Sequence, residues 1–255
     1  MSARMIGWGL LAAIACFGMI GPLLTGDPLR QDLSAALSGP GLAHPLGTDQ
    51  FGRDMLARLA HATRISLGFA LLAALAAAVP GVALGLLAAW SGGLADRALA
   101  ALADGVMALR GLLLVVLVAA FAPGEFLPLY VGLSLALWVE YFRVTRGVAA
   151  SLLARPAVEA ARLFGFGPWH VLRHHILPEL GPMLVTLLAF SAATAVAAIS
   201  ALAFVGIGMR PPTPEWGSMM TELLPYHDEA PLQVLLPAIL LAATILGLQL
   251  AGGRR

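Results

Sequence analysis

Lysine and asparagine are both missing from this 255-residue chain, and cysteine occurs once. Without lysine there is no Walker A phosphate loop, because that loop needs a lysine to reach the terminal phosphates. If the system uses ATP, a separate chain hydrolyses it. The lone Cys16 cannot close an intrachain disulfide, and in its apolar run it reads as a small buried side chain. Charge is scarce as well. Charged residues make up 11%, against about 25% in a soluble domain. The formal net charge is only +1, and no basic patch is interleaved with aromatics, so nothing points to nucleic acid. The sequence also lacks a HExxH zinc helix, a GxSxG elbow and an SxxK pair. Neither a cofactor nor a metal is expected.

What remains is apolar. Hydrophobic residues are 60% of the chain and mean hydropathy is +0.88, which places the protein in a bilayer. Apolar runs long enough to cross a hydrocarbon core of about 20 residues fall at Met5 to Leu24, Ser66 to Trp90, Leu99 to Ala122, Leu127 to Tyr141, Met183 to Ile207 and Leu232 to Leu250. The first fits an uncleaved anchor better than a signal peptide, because it continues well past Ala13-Ile14-Ala15-Cys16. The second contains Pro80 and a Gly81/Gly85 spacing that lets another helix approach closely. No repeat of 20–50 residues appears, so an inverted-repeat carrier gains no support.

Six spans put both termini on one side. With the termini in the cytoplasm, Arg4, Arg97, Arg143, Arg146, Arg155, Arg162, Arg173, Arg254 and Arg255 fall inside. Arg30, Arg53, Arg58, Arg64 and Arg210 fall outside, and Arg110 lies within a span. The bias favours that orientation.

The most informative stretch is a polar island, Pro156 to Pro178, between two spans. Pro156 suits the first position of a helix, and strong helix formers follow from Ala157 to Phe164. Glu159 sits where the helix dipole favours a negative charge, three residues before Arg162, with which it can pair. Gly165 can take the left-handed conformation that ends a helix, Gly167-Pro168 opens the next, and Pro178 is expected to stop it. His170 and His174 share a helix face, but no further ligands apart from Glu179 are nearby; a solvated cationic face is the reading.

Four segments carry a family resemblance. Glu159-Ala160-Ala161, Gly165 and Leu177-Pro178 resemble the EAA signature of permease subunits in binding-protein-dependent ABC importers. His44-Pro45-Leu46-Gly47-Thr48-Asp49 with Gly52-Arg53-Asp54 resembles the signature preceding the permease core in the peptide/nickel branch. Trp138, Arg143 and Arg146-Gly147 are similar to that branch's aromatic–arginine segment. Phe204 to Gly208 and Pro211 to Gly217 are similar to its FLGLG…PPTPxWG segment. The order matches the family's from about His44 to Gly247.

The resemblance implies an all-α membrane protein with six transmembrane helices, the type I ABC-importer (MetI-like) bundle, in the bacterial inner membrane. It implies an N-terminal anchor and periplasmic segment over 1–62, and a five-helix core over 63–255 with a cytoplasmic EAA loop at 150–180. Glu159, Ala160, Ala161, Gly165, Leu177 and Pro178 would couple to an ATPase subunit. Pro211, Pro212, Pro214 and Trp216 would face a periplasmic or lipid-anchored binding protein, with Trp216 also an interfacial anchor. A second homologous permease and two ATPase subunits complete the expected assembly, whose cargo would be a carboxylate-bearing chelated metal (a metallophore), placed slightly ahead of a short peptide, and not a naked ion. The chain departs from the branch at Leu109-Arg110, where a Phe-Pro pair is usual, which puts the kink of the third span in question.

Asp104 and Arg110 are charges within the spans, and such residues usually face a bundle interior or water. Asp104, Arg110 and Glu140 are the candidate pathway residues, with Glu140 also a candidate partner for Arg110. Near His44, Thr48 or Asp49 reads as a helix N-cap. Two other readings compete: an ion-coupled carrier working without an ATPase, and an intramembrane enzyme using Asp104, Glu140 or histidines. The enzyme would need acid–base groups facing each other at one depth, and these charges are scattered along the sequence.

Overall fold

The computed structural model describes residues 3–109, 111–122 and 124–253, and its regular elements are helices. They are α1 (Ala3–Leu24), α2 (Met55–Ser91), α3 (Gly93–Ala108), α4 (Gly111–Ala119), α5 (Phe126–Leu153), α6 (Pro156–Leu163), α7 (Pro168–Val171), α8 (Leu177–Phe204), α9 (Trp216–Leu223) and α10 (Pro231–Gly252). Five segments are long and apolar enough to cross a membrane: α1, α2, α5, the run from Pro168 to Phe204, and α10. Helices α3 and α4 make a sixth if counted as one broken span, and they meet at 79°.

The longest element organises the rest. At 37 residues and 1.5 Å per residue, α2 is about 55 Å long and outreaches a hydrocarbon core of about 30 Å. Its start is fixed by Asp54, whose carboxylate accepts the Ala57 N–H at 2.9 Å. Lipid supplies no hydrophobic drive between helices, so close van der Waals packing must hold them. The Gly81/Gly85 spacing provides it. A Cβ at Gly81 would sit 2.5 Å from the Trp138 carbonyl oxygen of α5, and one at Gly85 would sit 2.8 Å from that of Phe142. Similar seams clamp α1. A Cβ at Gly7 would lie 2.6 Å from the Ala251 nitrogen of α10, and one at Gly18 would lie 2.9 Å from Thr63 of α2. The central core joins Phe69, Leu133, Trp138, Phe142, Val196 and Met219.

Several expectations need correction. A boundary at residue 62 falls inside α2, because the cap at Asp54 starts that helix earlier. Neither Thr48 nor Asp49 caps it; their side chains turn inward instead. The third span is not one helix: Leu109 turns extended (φ −86°, ψ 128°) and ends α3. The kink put in question above is present, although no proline stands at or next to Leu109. Pro178 does not stop a helix. A five-residue π turn, Leu172–Ile176, leads directly into α8, and Pro178 lands in the first turn of α8, where a missing N–H costs nothing. Trp216 is wholly buried in the core, so it anchors no interface.

Candidate functional site

The polar island folds as two short helices around a turn. Pro156 opens α6, and Glu159 lies exposed in its first turn. The helix ends in a Schellman arrangement: Phe166 N–H donates to the Ala161 carbonyl at 3.1 Å, and Gly165 N–H to that of Arg162 at 3.0 Å. Gly165 holds φ +81°, a conformation in which a side chain is penalised. Pro168 then opens α7.

The two faces of α6 differ sharply. Val158 is buried with Ala149, Leu152, Val171, Ile176 and Leu180 in a small cluster at the end of α5, and Ala161 is buried as well. Glu159, Ala160 and Gly165 face outward, with Pro178 exposed and Leu177 at its edge. Beside them stand Leu163 and Phe164, more than four-fifths exposed, and Trp169, 69% exposed. Helix α6 is held against the bundle from two sides. The Arg162 guanidinium lies 5.3 Å from the centre of the Trp90 ring, rather than pairing with Glu159. Arg155 forms an ion pair with Glu179. Phe166, His170 and His174 stack in a column with successive ring centres 4.2 Å apart. Among the described residues no group of three or more His, Cys, Asp or Glu is arranged to hold a metal.

The candidate pathway residues do not gather. Asp104 pairs with Arg143 of α5, and both side chains are largely exposed. Glu140 is exposed and, among the described residues, makes no ion pair. Arg110 lies outside the described residues. A second bridge, Arg146 to Asp96, ties α5 to the start of α3, with Arg146 Nη2 donating to Asp96 Oδ2 at 2.5 Å.

At the far end of α2 the chain builds a buried charge cluster that sequence reasoning missed. Asp49 Oδ1 accepts the N–H of Phe51 at 2.8 Å and of Arg53 at 2.9 Å. Asp49 Oδ2 accepts from the Arg53 Nε at 2.5 Å and also from Arg58. Both guanidiniums then reach Glu222 Oε2 of α9, at 2.7 Å from Arg53 and 3.0 Å from Arg58. Asp49 and Arg58 are fully buried and Arg53 nearly so. Asp49 and Arg53 stand in the segment noted above for its resemblance, but nothing in it points to Glu222, 169 residues from Arg53. Pro211 and Pro212 are exposed on the neighbouring loop, whereas Pro214, Glu215 and Trp216 are buried. Glu215 caps α9 by accepting the Ser218 N–H at 3.0 Å. Burial pushes its carboxyl above the usual range, against hydrogen bonds from Gly217, Ser218 and Ser200.

Long apolar helices joined by small-residue seams are the architecture of a multi-pass membrane protein. The family model for the inner membrane component of binding-protein-dependent transport systems matches residues 81–251, and the chain belongs to that family. It is similar to the di/tripeptide transport system permease DppC of Pseudomonas aeruginosa, with 34% identity over 81% of this chain and 68% of that one. It is also similar to the glutathione transport system permease GsiD of Pectobacterium atrosepticum, with 32% identity over 84% and 71% of the two chains. Among solved structures, the inward-facing MetNI methionine ABC transporter shares the fold. That match has a TM-score of 0.56 and 20% identity, over 73% of this chain and 89% of the other. The bundle is therefore of the MetI-like type, and the chain is a permease subunit whose ATP is hydrolysed by separate subunits.

Proposed function

We propose that this chain forms half of the translocation pathway of an inner-membrane importer for short peptides and peptide-like solutes. The observation that carries the reading is similarity across more than four-fifths of the chain to permeases named for di/tripeptides and for glutathione. A second, homologous permease supplies the other half. Two ATPase subunits and a periplasmic or lipid-anchored binding protein complete the assembly. Both termini and the α6 loop lie in the cytoplasm, where the exposed face of α6, with Glu159, Ala160, Leu163 and Phe164, seats in the ATPase. Closure of the ATPase dimer on ATP carries the two docked helices together, and the bundles open outward to accept solute. The loop of Pro211 and Pro212 faces the binding protein, with Pro214 and Trp216 beneath it as support.

The cargo we infer carries carboxylates. Arg110 is the donor for them, because a guanidinium presents five N–H groups in a fork and keeps its charge. Nickel held in a carboxylate chelator shares that chemistry and is the second cargo reading; a naked cation would need a ligand cluster. Uptake of a radiolabelled dipeptide and of chelated nickel, in wild type and in Arg110→Leu and Arg110→Gln, tests it. The expected result is dipeptide uptake that both substitutions reduce. Normal uptake in both variants would remove Arg110 from recognition, and uptake of chelated nickel alone would replace the peptide reading.

A further inference from the structure

The face formed by α1, α2, α8 and α10 contains a groove whose two compartments differ in chemistry. The inner one, a cavity of about 240 Å3, is almost wholly apolar. Its floor is Ala70, Ala192 and Val196, each about 1% exposed, and its rim is Trp8, Leu71 and Val185, each about half exposed. The cavity follows from the helix seams. Gly7 and Gly18 draw α1 hard against α10 and α2, while alanines spread over all four helices (Ala15, Ala70, Ala189, Ala192 and Ala251) are too short to fill the gap between the larger side chains. An apolar cavity of this kind stays dry and accepts an apolar guest.

The second compartment, about 230 Å3, shares Trp8, Val185, Ala189 and Ala251 with the first, so the two adjoin. It is lined in addition by Arg4, Thr186 and Gly253. Arg4 is exposed and, among the described residues, forms no ion pair. One end of the groove is thus a guanidinium at the first turn of α1; the other is an aliphatic slot running along the bundle, with Trp8 between them.

We propose that this groove is a binding site for one anionic phospholipid, with an acyl chain in the alanine-floored cavity and the headgroup phosphate on Arg4. The pairing of one exposed cation with an adjoining apolar slot matches an amphiphile of net negative charge, and the membrane that holds the chain supplies it. A guanidinium suits phosphate by geometry as well as by charge. Tryptophan between slot and cation suits the boundary between acyl chain and headgroup.

Native mass spectrometry of the full chain, stripped of lipid in detergent and titrated with phosphatidylglycerol or phosphatidylcholine, tests the site. One phosphatidylglycerol should bind saturably and more tightly than phosphatidylcholine. Arg4→Gln should weaken phosphatidylglycerol about fivefold, the worth of one arginine at an anionic surface, and Arg4→Lys should restore most of that. Ala189→Phe, at the junction of the compartments, should abolish saturable binding of both lipids. Equal affinity for the two lipids with no effect of Arg4→Gln would overturn the proposal, as would undiminished binding in Ala189→Phe. Cross-linking of a cysteine at position 71 to a co-expressed second permease, with lipid excluded, would also overturn it by giving the groove to a protein.

Discussion

The two ends of α2 handle polar side chains in opposite ways. At Met55, four charged groups, three from one short stretch and one from α9, turn inward and neutralise one another: Asp49, Arg53, Arg58 and Glu222. At Ser91, beside Trp90, the chain turns apolar side chains outward: Leu163, Phe164 and Trp169. Buried ion pairs are costly to assemble and more costly to break, because a lost partner strands a charge. They therefore suit a junction that must stay closed within one subunit. An exposed apolar rim beside a carboxylate suits a surface that another subunit covers. One end is finished by its own residues; the other, on the function proposed above, is the surface a partner would cover.

That contrast can be attacked from both sides. The largest stability effect is expected at the closed end. Asp49→Ala leaves two buried guanidiniums facing one carboxylate and should destabilise the folded chain by about 3–5 kcal/mol, read as a fall in thermal unfolding temperature in detergent. Adding Arg58→Met should recover part of the loss. No recovery would mean that Asp49 matters for its loop rather than for the charges. At the open end, Gly165→Val costs only about 1–2 kcal/mol of local strain, yet should abolish uptake and ATPase co-purification with the chain still inserted. Glu159→Lys should do the same with the melting temperature unchanged, since its carboxylate is exposed. If Glu159→Lys transports normally, the outward face of α6 is not the contact. The smallest effect belongs to Asp104→Asn. Its pair with Arg143 is exposed, so the loss should not exceed about 1 kcal/mol, and uptake should persist.

The same contrast separates what was legible in sequence from what was not. The island from Pro156 to Gly167 could be read residue by residue, because proline, glycine and short helices are local devices. The close approach of α2 to α5 was legible for the same reason, in the spacing of Gly81 and Gly85. The break at Leu109 was harder: the chain has no proline there, so the kink left no sequence mark. Trp216 was misread because its neighbours determine its burial, and Gly217, whose missing side chain lets α9 press on Ser200 of α8, is what admits it to the core. The charge cluster was invisible, since Glu222 and Arg53 meet only after α9 has docked. Pro178 showed that a familiar stop signal depends on helix register, which the π turn at Leu172–Ile176 resets.

Site-directed cross-linking tests the outward face of α6 as the ATPase contact most directly. In a chain with Cys16→Ala, single cysteines at Ala160 and Leu163 should cross-link to the co-expressed ATPase subunit, and one at the buried Val158 should not. The yield at the first two should change when ATP is trapped in the complex. Equal labelling of all three positions by a membrane-impermeant reagent from outside the cell, or no cross-link at Ala160 and Leu163 in cells that still transport, would contradict the account.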